Sequence, residues 1–404
     1  MKLSLGGAEL VAELIQASHL STLERLPWLL AELGPKAGFH DVLIYLADLQ
    51  QEALHLLAPP ETTAPQPTEL RIEGTLAGKA FQHVQTLAKL GAGGRPDWWW
   101  VPMLDGTERL GVIRVSATEI TERTPDDLRC LASTLALLVV SMRGHSDRYA
   151  ELVRTRPMSV TAEMQWNLMP AMSFANDQVV IAAALEPAYD ISGDAFDYGL
   201  TGDTLHLEIL DAMGHDASAG LTASLTIAAC RSNRHQGKGL LPTVKAVEEA
   251  LLEEFGSEPR FATAILADLD IPTGKLTWVN CGHHPPVVIR GGRWVTTLEC
   301  QPSHPLGLEL GLPLVACSEQ LEPGDLVLLY TDGITEARNR YGQEFGLARF
   351  ADFVIRSAMD GLPVQETLRR LIRSILKYHD QQLQDDATVL LVEWHGSSHR
   401  RLQM

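Results

Sequence analysis

The chain has 404 residues, 45% hydrophobic and 21% charged, a globular composition long enough for two domains. Its 51 acidic and 33 basic residues leave a net charge of −18, which argues against nucleic acid or an anionic membrane as partner and makes a cation a welcome ligand. The five cysteines (Cys130, Cys230, Cys281, Cys300 and Cys317) are odd in number and lack C-x-x-C spacing, so they read as reduced thiols of a cytoplasmic protein. The N-terminal "MKLSLGGAELVAELI" lacks a signal-peptide pattern, and the apolar run "LASTLALLVV" is far shorter than the ~20 residues that span a bilayer.

Residues 8–38 show the spacing of an amphipathic helix pair, through Leu10, Leu14 and Ile15, then Leu26, Leu29, Leu30 and Leu33. Strand-like runs follow at 41–48 and 53–59, and "PPETTAPQPT" (59–68) is a loop by composition. A helical segment from Thr75 precedes "DWWWVPML" and "RLGVIRVSA", two strands joined by "DGTE", whose Asp-Gly suits a tight turn. Alternation places Trp98 and Trp100 on one strand face and Trp99 on the other. This order predicts an antiparallel sheet with helices on its faces over residues 1–124.

From Pro125, the positions Leu128, Leu131, Leu135, Leu138, Met142, His145, Tyr149 and Leu152 alternate spacings of three and four. That stripe predicts one long helix whose seam would pair a homodimer through 128–152. Pro157 interrupts it, and "SVTAEMQWNLM" forms a second, shorter helix that Ser159 can cap, with Glu163 near the reciprocal position. Residues 125–172 are therefore expected to be a helical connector.

The remainder, 173–396, is strand-rich: "QVVIAAALEPA", "TLHLEIL", "FATAILADLD", "KLTWVNCG", "PPVVIRG", "RWVTTLE", "DLVLLYTD" and "ATVLLVEWH". Helical runs at 217–234, 241–256 and 347–378 interrupt them, which predicts packed sheets flanked by helices, followed by a short tail at 397–404. Four places put aspartate where an apolar strand meets a loop: Asp194 with Asp197, Asp211, Asp332, and Asp385 with Asp386. One such acid is ordinarily a turn former. Four strand ends side by side would gather carboxylates on one edge, which is unfavourable unless a cation sits among them. Oxygen-only donors favour Mg²⁺ or Mn²⁺ over zinc. Two such ions about 3.5–4 Å apart would suit in-line displacement at a phosphate ester.

The segments "DISGDAFDY", "ILDAMGHDASAGL", "FATAILADLDIPTGKLTWVNCGHHPPVVI", "LEPGDLVLLYTDGITEARNRYGQEFG" and "DDATVLLVE" resemble, in order, the motifs of PPM-type metal-dependent serine/threonine phosphatases of the SpoIIE-like bacterial branch. The resemblance implies an α-β-β-α sandwich, within an α+β two-domain chain, and a binuclear Mn²⁺/Mg²⁺ centre. It implies Asp194 and Asp211 as central ligands, helped by the Ala212 carbonyl, with Asp332 and Asp385 completing the second ion's shell. It also implies direct attack by metal-bound water, with His215 a candidate proton donor to the leaving oxygen. The substrate it implies is a phosphorylated regulatory protein, an anti-sigma-factor antagonist. Asp386 is expected on the opposite face from Asp385, Asp197 to organise a loop, and Cys281 to be a small buried residue. His283 should brace the sheet edge, Glu336 and Arg338 should form an exposed ion pair, and the region after Phe345 should form a flap.

The family's usual "GHG" is "GHD" here, so Asp216 stands where glycine permits a positive φ. Capping of the helix that follows is the favoured reading of that aspartate. The N-terminal part is similar to GAF sensor domains in element order, "LAGKAF" and "WWWVPMLDGTERLGVIRVSA", with an unknown ligand. Two rivals remain open: a silent phosphatase-fold scaffold, and a hydrolase of small phosphate esters or cyclic nucleotides.

Overall fold

The computed structural model describes residues 3–58, 67–91, 93–190, 192–214, 216–256, 258, 260–378 and 385–396. Most of the expected 59–68 loop, residues 59–66, lies outside these. The chain divides into two compact units between Pro157 and Met158.

The first unit runs α1 (Leu5–Ser18), α2 (Leu26–Leu33), β1 (Phe39–Ala47), β2 (Ala53–Leu56), β3 (Glu69–Arg71), α3 (Leu76–His83), β4 (Leu87–Leu90), β5 (Pro96–Asp105), β6 (Glu108–Ala117), α4 (Thr124–Arg143) and α5 (Asp147–Val153). Its strands form one antiparallel sheet in the order β3-β2-β1-β6-β5-β4. The pleat separates the tryptophans as expected. Trp99 joins the core under α1, α2 and α4, while Trp100 packs edge-on to Tyr45 in the core beneath α3.

The expected long helix is two helices. Gly144 closes α4, and Ser146, a residue type that favours helix starts, stands before α5. Ser146 Oγ donates to Glu24 Oε1 at 2.6 Å, and Leu49 N donates to Val153 O, which returns α5 to its own sheet. Leu128, Leu131, Leu135, Leu138 and Met142 are buried in this unit's core beside Ala132, Ala136 and Val139. The apolar face is thus broader than a two-position seam, as in a helix covering a sheet. Of the stripe on which a homodimer through 128–152 was expected, the part from Leu128 to Met142 is buried inside the unit, Tyr149 and Leu152 are half-buried, and His145 is exposed.

The second unit begins with α6 (Val160–Leu168), whose Ser159 Oγ accepts from Ala162 N as expected. Then follow β7 (Ser173–Ala175), β8 (Val179–Glu186), β9 (Asp194–Thr201), β10 (Thr204–Ala212), α7 (Ala217–His235), α8 (Leu240–Phe255), β11 (Ala262–Asp270), β12 (Lys275–Cys281), β13 (Val287–Arg290), β14 (Arg293–Thr297), β15 (Ala316–Gln320), β16 (Asp325–Tyr330), α9 (Asp332–Thr335), α10 (Gly346–Met359), α11 (Val364–Tyr378) and β17 (Ala387–Trp394). Two antiparallel sheets result, β15-β12-β11-β10-β9 and β14-β13-β16-β17-β8-β7. Alternate residues of both, among them Phe196, Leu207, Ile209, Ile265, Val327, Leu390 and Val392, fill the layer between them. Helices α7 and α8 cover the outer face of the first sheet, and α10 and α11 that of the second. This is the expected α-β-β-α sandwich. Residues after Phe345 belong to its outer layer, with Phe350 and Val354 buried, and do not form the expected flap.

Cys300 and Cys317 are disulfide-bonded, which ties the segment after β14 to β15 and corrects the expectation of five reduced thiols. Cys130, Cys230 and Cys281 are free. Among the described residues no helix is long and apolar enough to cross a membrane.

Candidate active site

The side-chain period of two decides which acids meet. Asp194 shares parity with Phe196, and Asp211 with Ile209 and Leu207, so both point toward the layer between the sheets. They stand directly opposite each other in the β9–β10 ladder, where like charges repel. The second sheet delivers the others at the same end: Asp332 opens α9 immediately after β16, and Asp385 and Asp386 immediately precede β17. The four sequence-predicted acids are therefore brought together, two from each sheet.

Their electrostatics record the crowding. Burial, then the charges of Asp211 and Asp386, push the Asp194 carboxyl well above the usual range. Burial and the neighbouring Asp332, Asp385 and Asp386 push Asp211 up to about 7. Asp332 is raised by burial, Asp385 and Glu336. Such a set holds protons or cations. All its donors are carboxylate or carbonyl oxygens, which fits a hard divalent ion.

Several residues that the sequence did not single out hold this geometry. Thr331, fully buried, donates from Oγ1 to Asp194 Oδ2 at 2.6 Å and accepts from Thr388 N at 2.9 Å, so one hydroxyl joins the two sheets. Gln165 on α6 donates from Nε2 to the carbonyls of Ser192 and Asp194, clipping that helix to the turn before β9. Gly193 has no room for a side chain, because a Cβ there would lie 2.6 Å from the Ala212 carbonyl oxygen. That oxygen, the expected backbone ligand, thus sits against the Asp194 turn. At Gly333 a Cβ would fall 1.8 Å from Asp386 O, so α9 can start only with glycine in that position. Spacing alone cannot reveal any of these, since each is defined by contact across sheets or loops.

Other predicted residues divide. Asp386 does not turn away: it is buried, and its Oδ2 accepts from Gly193 N at 2.5 Å. The reason is parity, since Thr388, Leu390 and Val392 of β17 also face the inter-sheet layer. Burial raises it to about 6. Asp385 is exposed and lies close enough to Asp211 and Asp332 to raise both.

Asp197 has the opposite parity from Asp194 and takes two bonds from Arg231, at 2.8 and 2.6 Å, and one from Arg234 at 3.0 Å. It fastens α7 to β9 and is no part of the cluster. Asp216 caps α7, its Oδ1 accepting from Ala219 N at 2.9 Å with φ −105°. The positive φ in this loop falls on Gly214, at +91°, so aspartate is tolerated where the family has its second glycine. His215 lies outside the described residues.

His283 is buried, and Nε2 must carry its proton because that nitrogen faces the Tyr330 carbonyl, at 3.1 Å. Nδ1 accepts from Thr263 Oγ1 at 2.7 Å. Burial lowers this imidazole to about 4, so it stays neutral and braces the end of β16 as expected. Cys281 is buried with its thiol pushed up to about 12, an inert residue. Arg338 pairs with Glu344 at 2.8 Å, not with Glu336 as expected.

A two-sheet sandwich with aspartates from both sheets at one end is the architecture of a metal-dependent phosphatase. The profile of the stage II sporulation protein E (SpoIIE) family matches residues 201–395, so the second unit carries a SpoIIE-like phosphatase domain of the PP2C type. The chain is similar to the phosphoserine phosphatase RsbU of Bacillus subtilis, 23% identical over 296 residues that cover 70% of this chain and 85% of that protein. It is also similar to protein IcfG of Synechocystis, 25% identical over 57% of this chain, where it spans only 40% of that protein's length. Among solved structures, the RsbU and RsbW domains of a Mycobacterium tuberculosis protein share 26% identity over 56% of this chain and 62% of that one, with a TM-score of 0.46.

Proposed function

We propose that this chain is a phosphoprotein phosphatase that hydrolyses phosphoserine or phosphothreonine on a regulatory protein, an anti-sigma-factor antagonist of a partner-switching system. The observation that carries the reading is the convergence of Asp194, Asp211, Asp332 and Asp385 from two sheets, with the carboxyl groups of Asp194, Asp211 and Asp332 raised by burial and by the charges of neighbouring acids. With the Ala212 carbonyl, these are the groups that would hold two Mn²⁺ or Mg²⁺ ions. Such ions, when bound, lower the pKa of water and neutralise phosphoryl oxygens for in-line displacement.

The chain's own residues prepare that end. Thr331 aims Asp194, Asp386 and Gln165 fix its turn, and neutral His283 positions the end of β16 from which Asp332 emerges. His215 is the proton donor assigned to the leaving serine or threonine oxygen. The N-terminal unit is read as a GAF-like sensor of unknown ligand. Regulation through α6 has a physical basis in Gln165, because a shift of that helix would move the Asp194 turn directly.

Phosphate release from a phosphoserine-containing antagonist protein, measured with the full chain and Mn²⁺, tests the proposal. Turnover that requires Mn²⁺ or Mg²⁺ and disappears in Asp211→Asn is the expected result. Absence of turnover on phosphoproteins, phosphopeptides and p-nitrophenyl phosphate alike would favour the scaffold reading.

A further inference from the structure

The segment 298–315, between β14 and β15, has no helix or strand of its own. Irregular segments of that length are uncommon in compact domains and are ordinarily functional or disordered. This one is pinned at several places. The Cys300–Cys317 bond closes its base, and Ser303 N donates to Asn280 O at 2.8 Å. Leu306 and Ala262 exchange backbone bonds at 2.8 and 3.0 Å, and Ala262, the first residue of β11, is also the ladder partner of Ala212. The Glu248 carboxylate of α8 accepts from Gly307 N at 2.5 Å and from Glu309 N at 2.6 Å. That clamp holds Glu309 at φ +46°, a left-handed conformation uncommon outside glycine.

Between this segment and α8 lies a cavity of about 480 Å³, walled by Leu241, Val244, Leu252, Leu306, Leu312 and Leu314. Its apolar surface continues outward, since Leu310 is 62% exposed and Leu312 49%. Exposed leucines continuous with an apolar cavity mark a contact surface, whereas scattered ones do not. The disulfide and Glu248 already fix the wall, so binding there costs little ordering entropy. The rim has one sign. α8 presents Glu249, Glu253 and Glu254 to solvent and the overhanging segment adds Glu309, while Lys245 is the only Lys or Arg among the described lining residues. Among the described residues none of these four acids forms an ion pair. Charge complementarity therefore selects a cationic partner.

We propose that the groove between α8 and residues 304–314 docks a segment of another protein, one that carries large apolar side chains beside Lys or Arg. The apolar side chains enter the cavity and the basic ones meet Glu249 and Glu309 at its rim. Leu306 is one strand away from Ala212 across Ala262, so the groove begins beside the four-aspartate end. The inference needs only the shape and charge of this face and stands whether or not the chain is a phosphatase.

Selection of a phage-displayed library of random peptides on the full chain tests it, followed by fluorescence anisotropy of the enriched peptides. Those peptides should combine large apolar residues with Lys or Arg. Leu312→Asp and Leu310→Asp should each weaken their binding about tenfold or more, the scale for replacing an apolar anchor of an interface. Glu249→Lys should weaken it as well, whereas Leu137→Asp, which adds the same acid at an exposed leucine of α4, should leave it unchanged. The aspartate variants also separate docking from bulk charge, because an added acid would strengthen a purely electrostatic association of cationic peptides. A library that yields no binder, enriched peptides without Lys or Arg, or affinities that Leu312→Asp leaves intact would each overturn the proposal. So would self-association in sedimentation that Leu312→Asp abolishes, since a second copy would then cover the groove. Both leucines are exposed, and unchanged circular dichroism checks that the variants fold.

Discussion

Thr331→Val isolates the support of the metal-binding end from its ligands. Valine keeps the shape of threonine, so the fully buried site gains no cavity, but both hydroxyl bonds go. A hydrogen bond to a charged group contributes about 1.5–3 kcal/mol, and a buried donor left without a partner costs about 1–3 kcal/mol. The orphaned donor is the Thr388 amide, and it affects the fold with or without metal. The bond to Asp194 matters most when that carboxylate is ionised, as a ligand must be. Thr331→Val should therefore lower the melting temperature of the chelated protein by roughly 5 °C, taking about 2 kcal/mol at 2–4 °C per kcal/mol. It should also weaken Mn²⁺ binding about 10–100-fold, the usual effect of removing a group that orients a ligand. Thr331→Ser, which restores the hydroxyl, should recover the affinity. Calorimetric titration with Mn²⁺ measures it, and an affinity for Thr331→Val within twofold of wild type would refute the role assigned to the hydroxyl.

Stability should depend on pH in a direction set by the raised carboxyls. With Asp211 at about 7 and Asp386 at about 6, the folded chain binds more protons than the unfolded one between about pH 4 and 7. The metal-free protein should thus lose stability as pH rises through that window, by up to roughly 4 kcal/mol from Asp211 alone at ~1.4 kcal/mol per unit. In EDTA it should melt higher at pH 5 than at pH 8, and saturating Mn²⁺ should reverse the order; equal melting at both pH values in EDTA would contradict this. Asp216→Ala should cost about 1 kcal/mol in urea unfolding through loss of the α7 cap, while Asp216→Gly should cost only a few tenths. Gly333→Ala should abolish Mn²⁺ binding, since its methyl group would displace the Asp386 backbone; wild-type binding in calorimetry would show that the approach is not tight.

Most of the sandwich was legible because buried strands announce themselves as apolar runs. The strands missed were the three-residue β7 and two with another composition. β9, "DAFDYGLT", reads as a polar motif, and β15, "ACSEQ", alternates exposed and half-buried residues at a sheet edge. The four acids were visible as strand ends, but the face each occupies follows from inter-strand register, which is why Asp386 was placed on the wrong side. Spacings of three and four suit a coiled-coil seam and a sheet-covering helix alike. Ala132, Ala136 and Val139 are what widen the α4 face to the second kind. The Cys300–Cys317 bond depends on the segment after β14 folding back onto β15 across a sequence separation of 17, and no local pattern encodes that. Thr331 and Gln165 stayed hidden for the same reason.

The division of the carboxylates between the sheets has a mechanical consequence. Cations held jointly by Asp194 and Asp211 on one sheet and by Asp332 and Asp385 on the other would staple the two halves of the sandwich at one end. Affinity for metal and resistance of the sheets to sliding would then be one free energy measured in two ways. Any event that shears one sheet against the other by a fraction of an ångström would release the ions without touching a ligand. Any substitution that stiffens the apolar layer between Phe196 and Val392 would tighten metal binding from a distance.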